Sequence, residues 1–240
     1  MPDFARRSHA REWLDMATPS PAERAAYLKS LAWFNRAMLG HRPVLTWLDA
    51  AMRGLPPGEP STLLDVGCGY GDLLRAIRHW ANRRGLRMRL IGIDLNADTI
   101  AIAREATPHD DSITYLVGDV FNLRPTARID FVISSLLAHH LADDAIVRFL
   151  RWMESTARRG WLVADLQRHP VPYHAIGITG PLSRIHPMVV EDGRLSVMRA
   201  LTRPEWQTAI TAASLDWKAV RLRWFLYRYA VSRLRREPLP

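Results

Sequence analysis

The chain has 240 residues, of which 48% are hydrophobic and 24% charged, and its formal net charge is +9. This length predicts one main domain, and no apolar run of about 18 uncharged residues is present to form a transmembrane helix. The N-terminus lacks the pattern of a secretory signal, and Cys68 is the single cysteine. We therefore expect a cytoplasmic protein with no disulfide framework and no zinc or other metal site.

The basic charge, with a sequence pI of about 10.5, raises the question of a nucleic-acid or anionic-membrane partner. Its distribution counts against both. Lysine occurs only at Lys29 and Lys218, and the arginines are spread along the chain apart from a denser C-terminal segment. We therefore do not expect a nucleic-acid partner.

Residues 1–56 form a predicted N-terminal helical segment that could act as a lid. Ser20-Pro21-Ala22-Glu23 has the pattern of a helix start with an N-cap, a first-turn proline and a capping-box glutamate. A further helix is expected over 43–52. The proline-rich stretch 56–60 then breaks the helical pattern and leads into the domain that we predict over 61–240.

Strands and helices alternate in the next part of the chain. Strands are predicted over 61–66, 88–93, 112–117, 129–134 and 160–165, and helices over 71–84, 97–106 and 142–158. This order predicts an α/β fold with a parallel sheet that helices cover on both faces. Residues 167–201 are rich in proline and glycine and are predicted as an irregular lid insertion. A helix over 203–213 and an antiparallel hairpin of 217–223 with 225–231 follow.

The segment 63–71, Leu-Leu-Asp-Val-Gly-Cys-Gly-Tyr-Gly, is the most informative motif. An apolar strand runs directly into a turn with Gly67, Gly69 and Gly71, and a helical pattern begins at once. Glycine permits the sharp turn and lets a ligand approach bare main chain. The first N–H groups of the helix point at the same place. The segment therefore predicts a nucleotide-type pocket.

Side chains at the carboxyl ends of the predicted strands should face this pocket, because ligands of open parallel sheets bind there. These residues are Asp65, Asp94, Asp119, Ser134 and Ser135. An acid after the second strand can accept hydrogen bonds from two ribose hydroxyls, and an acid after the third can accept from an adenine amino group. A phosphate-cradling P-loop is excluded, because the sequence lacks G-x-x-x-x-G-K-[ST].

Three ordered motifs, Leu-Asp-Val-Gly-Cys-Gly-Tyr-Gly, Gly-Ile-Asp and Gly-Asp-Val, resemble those of class I S-adenosylmethionine-dependent methyltransferases over about residues 61–231. The resemblance implies a Rossmann-like fold, with a seven-stranded, mostly parallel sheet, a C-terminal antiparallel strand and added N-terminal helices. It also implies S-adenosylmethionine as the cofactor. The turn reads G-x-G-x-G, which departs from the G-x-G-x-x-G of dinucleotide-binding dehydrogenases.

The resemblance assigns parts of the cofactor to residues of this chain. It implies that Asp94 holds the ribose hydroxyls, that Leu95 lies against the adenine, and that Asp119 and Val120 recognise the adenine edge. The residues that it places at the methionine part are Asp65, Gly67, Cys68, Gly69, Ser134 and Ser135.

Histidines are the candidate bases, since a phenol or alcohol acceptor must lose a proton before it attacks a methyl group. His140 and His139 follow the fourth predicted strand, although they could simply begin the next helix. His169 and His186 lie in the predicted lid and are alternatives. The candidate substrate-binding residues are Asn35, Arg36, Arg168, Tyr173 and His186.

This combination of segments is similar to small-molecule methyltransferases of bacterial secondary metabolism. The leading interpretation is O-methylation of a small phenolic or other secondary-metabolite substrate. The alternatives are a C-methyltransferase acting on a quinone-like ring, an RNA or protein methyltransferase, and a non-catalytic binding module that uses the basic, aromatic C-terminus. An Asn/Asp-Pro-Pro-Tyr/Phe signature after the fourth strand, typical of enzymes that grip base amino groups, is absent.

Overall fold

The computed structural model describes residues 2–16, 19–53, 55, 58–107, 112–123, 128–182 and 186–235. Its α-helices are α1 (Trp13–Met16), α2 (Pro21–Ala37), α3 (Arg42–Met52), α4 (Asp72–Asn82), α5 (Ala97–Glu105), α6 (Asp143–Thr156), α7 (Pro170–Leu182), α8 (Pro187–Arg199) and α9 (Arg203–Ala212). Its strands are β1 (Ser61–Val66), β2 (Met88–Asp94), β3 (Ile113–Val117), β4 (Phe131–Ser135), β5 (Gly160–Leu166), β6 (Val220–Phe225) and β7 (Arg228–Leu234). Residues 56 and 57 of the predicted linker and 183–185 of the predicted lid lie outside this description.

The seven strands form one sheet in the order β3-β2-β1-β4-β5-β7-β6. Strands β1 to β5 pair in parallel, whereas β7 is antiparallel to both β5 and β6. The predicted fold class is thereby confirmed. The strand order reverses between β1 and β4, so the carboxyl ends of these two strands border the crevice in which such sheets bind ligands.

Helices α2 and α3 are the two long helices of the N-terminal segment. Helix α2 begins with the predicted capping box, in which Ser20 and Glu23 satisfy each other's backbone N–H groups. Helix α3 buries Val44 and Leu48 completely in the core beneath the sheet, and the ring of Trp47 meets that of Phe131 edge-on at 5.8 Å.

None of the helices in the described part of the chain has the length and apolar character that crossing a bilayer requires.

The predicted irregularity of residues 167–201 is wrong, because most of this segment forms the antiparallel-packed helices α7 and α8. Pro170 and Pro172 lie in the first turn of α7, where N–H groups have no partner within the helix and proline costs little. Gly180 allows close packing of the two helices, since a Cβ there would lie 2.6 Å from the side chain of Val190. The residues that suggested irregularity therefore serve a helix start and a helix contact.

The C-terminal hairpin is present, but its strands begin about three residues later than predicted. Phe225 pairs with Arg228, so the turn contains only Leu226 and Tyr227. Their φ angles are 42° and 56°, as a tight hairpin turn requires at both central positions. Such turns usually contain glycine or asparagine. Because neither residue is present, the sequence predicted the hairpin but not the position of its turn.

Candidate active site

The glycine turn between β1 and α4 has the predicted left-handed backbone. The φ angles of Gly67, Gly69 and Gly71 are 70°, 51° and 73°. A Cβ at Gly71 would collide with the hydroxyl of Tyr115, whereas a Cβ at Gly69 would meet no atom within 4 Å. Gly71 is therefore required by packing, while the main chain at Gly69 borders open space that a ligand can occupy.

A cavity of about 510 Å³ opens from this turn. It lies at the carboxyl ends of β1 and β4, beneath α2, α7 and α8, and its wall includes the hairpin turn at Leu226 and Tyr227. Most of the exposed wall is apolar, with contributions such as Leu31 and Phe34 from α2 and Ile176 from α7. The cavity therefore combines a polar, glycine-lined floor with apolar helices above it.

Acidic side chains surround the glycine turn. Asp65 is the penultimate residue of β1 and lines the cavity at 2% exposure. Burial raises the pKa of its carboxyl group, and the neighbouring Asp72 and Asp94 raise it further. Burial also raises the pKa of the Cys68 thiol, so that this side chain is a neutral part of the wall.

Asp94 is joined to the glycine turn by a direct hydrogen bond. Its Oδ2 accepts from the N–H of Gly69 at 3.1 Å, and its Oδ1 accepts from the N–H of Asn96 at 3.0 Å. Each carboxylate oxygen keeps a further lone pair. The carboxylate is thus held in one orientation and can accept the two hydroxyls of a ribose.

The residues predicted at the adenine lie beside the cavity rather than in its wall. Leu95 is 73% exposed and Phe121 is 39% exposed, which leaves apolar surface at the ends of β2 and β3. Asp119 begins a short 3₁₀ helix, and its Oδ1 accepts from the N–H of Phe121 at 2.9 Å. The side chain of Val120 is buried in the core, so only its backbone is available for base recognition.

The two predicted serines at the end of β4 have different environments. Ser134 is fully buried and donates a hydrogen bond of 3.0 Å to the carbonyl oxygen of Val66. Its hydroxyl joins β4 to β1 and does not line the cavity. Ser135 does line the cavity, as the alternation of side chains along a strand requires of its neighbour.

The predicted histidine pair follows β4 and lies in the cavity wall. His139 is 3% exposed, and its Nδ1 lies 2.7 Å from Oδ1 of Asp165, which is 1% exposed. The backbone N–H of His139 donates to the other oxygen of Asp165 at 2.9 Å. Burial opposes ionisation of Asp165, but the charge and hydrogen bonds of His139 outweigh burial and lower the pKa of this carboxyl.

Glu12 from the N-terminal segment completes this cluster. Its Oε1 lies 3.6 Å from Nε2 of His139, and its Oε2 lies 3.6 Å from Nε2 of His140. The hydroxyl of Ser196 donates to Oε1 at 2.7 Å, and Nη1 of Arg199 lies 3.7 Å from the same oxygen. We call Glu12, His139 and His140 the polar trio.

Two further contacts hold the N-terminal segment over the cavity. The guanidinium of Arg7 donates to the backbone carbonyls of His139 and Leu141 at 3.0 and 2.8 Å. Asp192 of α8 accepts from the hydroxyl of Tyr27 at 2.7 Å and from the N–H of Trp13 at 2.9 Å. The position of Glu12 is therefore set by contacts on both sides of it.

Several predicted substrate or catalytic residues are not in the cavity wall. Arg168 is 4% exposed and is occupied by the carbonyls of Phe4 and Ala200 and by the carboxylate of Glu205. It stabilises the attachment of the N-terminal segment, which corrects its predicted role in substrate binding. Asn35, by contrast, lines the cavity, whereas the exposed Arg36 does not.

The lid histidines also differ from the prediction. Nδ1 of His169 accepts from the N–H of Val171 at 3.1 Å, at the start of α7. The ring of His186 lies 5.8 Å from that of Trp13, and Arg194 covers the ring of Tyr173 at 4.2 Å. None of these three predicted residues, His169, His186 and Tyr173, is in the described wall of the cavity.

Strained backbone is concentrated around the cavity. Five non-glycine residues in the described part of the chain have a positive φ angle, and they are Leu39, Leu136, Ser214, Leu226 and Tyr227. All except Ser214 line the cavity. A left-handed conformation costs such residues about 1–2 kcal/mol each, and strain of this kind clusters at functional sites.

The sequence reasoning missed two members of the site for different reasons. Asp165 is the penultimate residue of β5, so the rule that identified Asp94 and Asp119 at strand ends could have found it. Glu12 carries no such signal, because it precedes the short helix α1 and reaches the histidines only through the folded N-terminal segment.

Comparison with known proteins supports the interpretation of this site. A family model described as "Methyltransferase domain" matches residues 63–160. Over 73 residues the chain is 37% identical to the 2-phytyl-1,4-naphtoquinone methyltransferase of Thermosynechococcus vestitus, which covers 30% of this chain and 31% of that protein. It is 27% identical over 123 residues to the trans-aconitate 2-methyltransferase of Afipia carboxidovorans, with 51% of this chain and 45% of that protein covered. The matches thus span less than half the length of these curated relatives.

A solved structure agrees over most of the chain. The plantazolicin methyltransferase in complex with S-adenosylhomocysteine (SAH) superposes with a TM-score of 0.62 and 14% identity, over 88% of this chain and 95% of that one. At this identity the likeness concerns the fold.

Proposed function

We propose that this chain, which carries a class I methyltransferase domain, transfers a methyl group from S-adenosylmethionine to a hydroxyl oxygen of a small, largely apolar phenolic molecule. One observation carries the proposal: a single cavity extends from the glycine turn to the polar trio. The glycine turn that would hold the cofactor and the polar trio that would activate the acceptor therefore line the same cavity. A place in secondary metabolism, a cytoplasmic location and independence from nucleic acid belong to the same proposal.

The residues present fit the cofactor. Open space lies in front of Gly69, and Asp94 is fixed by the N–H of that glycine. Burial and the neighbouring Asp72 and Asp94 raise the pKa of the Asp65 carboxyl group, and a cationic amino group beside it would favour its ionised form. When bound, S-adenosylmethionine supplies a methyl group on a sulfonium centre. Asp65 and the glycine turn would hold its methionine part, and Asp94 its ribose.

The lining of the acceptor side supports a ring with an ionisable hydroxyl as the acceptor. Helices α2 and α7 contribute apolar side chains, including Leu31, Phe34 and Ile176, which exclude water from the reacting groups. His139 and His140 lie in the same wall and can take part in removing a proton from the acceptor. Alignment of the acceptor by the walls supplies most of the remaining rate enhancement.

A second candidate is C-methylation of a quinone-like ring. It is favoured by the local identity with a relative whose name gives a naphthoquinone as its substrate. The same cavity serves both reactions, because an ionised phenol can attack through oxygen or through a ring carbon. The position of the new methyl group distinguishes them.

The test is an acceptor screen with the full chain, S-adenosylmethionine and panels of phenols, reduced quinones and small carboxylic acids. Mass spectrometry measures SAH formation and the gain of one methyl group, and NMR locates that group. We expect O-methylated phenols. Methylation on a ring carbon would favour the second candidate, and a folded enzyme that forms no SAH with any class would contradict both. Asp94→Ala should form less SAH than the wild type at low S-adenosylmethionine concentration, and Asp98→Ala, at an exposed acid of α5, is its matched control.

A further inference from the structure

The polar trio has the geometry of an incomplete coordination sphere. One ligand atom from each of Glu12, His139 and His140 lies within 4.8 Å of the others. Both Nε2 atoms are 3.6 Å from a carboxylate oxygen of Glu12, which exceeds the usual hydrogen-bond length of about 2.7–3.2 Å. Ligand atoms about 2.1 Å from a shared ion are separated by roughly 3.0–3.4 Å. The observed spacings, 3.6 Å to the two carboxylate oxygens and up to 4.8 Å across the trio, are longer than this, so a bound ion would draw the three side chains inward.

The second contact of His139 supports the same interpretation. Its Nδ1 lies 2.7 Å from Oδ1 of Asp165, and an Nδ1–H that donates to this oxygen leaves Nε2 as the lone-pair atom facing Glu12. Histidines that bind metals commonly donate their other ring N–H to a carboxylate, which fixes the ring and strengthens the ligand. In the described part of the chain, His139 and Asp165 are buried where they meet, and the polar trio faces the cavity.

The trio opens into the cavity that we assign to the acceptor. Three protein ligands with remaining positions open to a pocket are typical of catalytic rather than structural metal sites. His140 is about one-third exposed, so the ligand nearest the cavity can adjust its ring. The small movement needed to bring three atoms around one ion is therefore available on this side.

Positive charge nearby limits the expected affinity. Nη1 of Arg199 lies 3.7 Å from Oε1 of Glu12. A cation this close to a ligand oxygen repels a metal ion, so the site should bind the ion less tightly than the same three ligands would without it.

We propose that Glu12, His139 and His140 bind one divalent transition-metal ion of the kind that prefers imidazole and carboxylate ligands, such as Zn²⁺ or Fe²⁺. The inference rests on the proposed function for its role and replaces direct proton transfer to the histidines: the ion takes the acceptor hydroxyl at an open position and lowers its pKa, the proton leaves to solvent, and His139 and His140 act as ligands of the ion. The acceptor oxygen is then anionic inside the apolar cavity. The expectation of no metal site rested on the presence of a single cysteine and did not include Glu12 as a ligand. This site would overturn it.

The test titrates untagged, metal-free full-length protein with Co²⁺, whose visible absorption reports coordination by nitrogen and oxygen, and then displaces it with Zn²⁺. We expect one Co²⁺ per chain. Glu12→Gln and His140→Ala should each weaken Co²⁺ binding at least tenfold, whereas His79→Ala, which removes an exposed histidine of α4, should leave it unchanged. His140→Ala alters a partly exposed side chain, so that it tests the site even if Glu12→Gln does not fold.

SAH binding to the metal-free protein is measured in parallel. SAH binding without stoichiometric Co²⁺ or Zn²⁺ binding by the wild type would overturn the metal site and leave the proposed function standing. Metal binding without SAH binding would do the reverse. Equal Co²⁺ affinity of wild type, Glu12→Gln and His140→Ala would show adventitious binding and also overturn the metal site.

Discussion

The Nδ1 atom of His139 lies 2.7 Å from Oδ1 of Asp165, and the backbone N–H of the same histidine donates to the other carboxylate oxygen. Both side chains are almost completely buried. This double contact fixes the 3₁₀ turn after β4 on the end of β5 and orients the imidazole towards Glu12 and the cavity. The acceptor side of the cavity thus depends on a contact between the turn that follows β4 and the end of β5. The sequence analysis considered these two segments one at a time.

Asp165→Asn should disturb this orientation without affecting the cofactor floor. Asparagine keeps the size of the side chain but can present an N–H to Nδ1 of His139, which favours the wrong ring tautomer. We expect methyl transfer to fall about 10- to 100-fold, with SAH affinity unchanged. Steady-state kinetics with the acceptor found in the screen measures the first quantity, and calorimetry the second. An unchanged rate in a folded variant would show that Asp165 does not orient the histidine for catalysis.

Asp94→Ala should weaken SAH binding by about 1–3 kcal/mol, because charge-assisted hydrogen bonds to the ribose are lost. Part of this loss comes from the N–H of Gly69, which also loses its acceptor. Isothermal calorimetry on wild type and variant measures the difference. Asp98→Ala, at an acid with 71% side-chain exposure on α5, is the control and should bind as the wild type does. Wild-type affinity of Asp94→Ala would exclude the ribose role.

Asp65 should make both stability and cofactor binding depend on pH. Burial and the neighbouring Asp72 and Asp94 raise its pKa in the folded state, so the folded protein binds more protons than the unfolded chain above a pH of about 4. Stability from this group is complete below that pH and falls as pH rises towards the folded-state pKa. Asp65→Asn should remove this fall, and urea unfolding at about pH 5 and about pH 8 measures it.

The same substitution separates stability from function. A positively charged ligand group favours the ionised Asp65, so SAH affinity of the wild type should rise with pH across the same window. Asp65→Asn should bind SAH more weakly and with less pH dependence, although the free variant is the more stable protein at neutral pH. A variant with lower stability and normal SAH affinity would assign Asp65 to the fold alone.

Alanine substitutions at two glycines distinguish packing from ligand approach. Both Gly69 and Gly71 have left-handed φ angles, so each change costs about 1–2 kcal/mol of backbone strain. Gly71→Ala also places a methyl group against Tyr115 and should lose further unfolding free energy. Gly69→Ala meets no protein atom, and its methyl group should instead obstruct SAH. Denaturant unfolding and calorimetry together measure the contrast. Equal effects of the two changes on SAH binding would contradict it.

The sequence predicted those parts of the structure that depend on local pattern. Strand ends followed by acids or serines placed Asp94, Asp119 and Ser135 at one edge of the sheet, because parallel strands share that edge. The prolines and glycines of α7 and α8 led to the wrong prediction of irregular structure, because they serve a helix start and a close helix contact. The hairpin turn at Leu226 and Tyr227 lacks the usual turn residues, since tertiary packing imposes its conformation.

The remaining errors concern contacts between distant segments. Arg168 was predicted to bind substrate because it is a polar residue near the carboxyl edge of the sheet. Its partners, the carbonyls of Phe4 and Ala200 and the carboxylate of Glu205, come from two distant parts of the chain. Glu12 reaches His139 and His140 by the same folding of the N-terminal segment, and no periodicity or spacing indicates it.

The structure of the complex with SAH tests the central claim most directly, because it shows which groups hold the adenosyl moiety. We predict both ribose hydroxyls on the carboxylate of Asp94, the amino group of the homocysteine part near Asp65, and the sulfur in the cavity facing the polar trio. SAH bound at another surface, or a cavity that remains closed by the side chains of α2 and α7 at saturating SAH, would contradict the account.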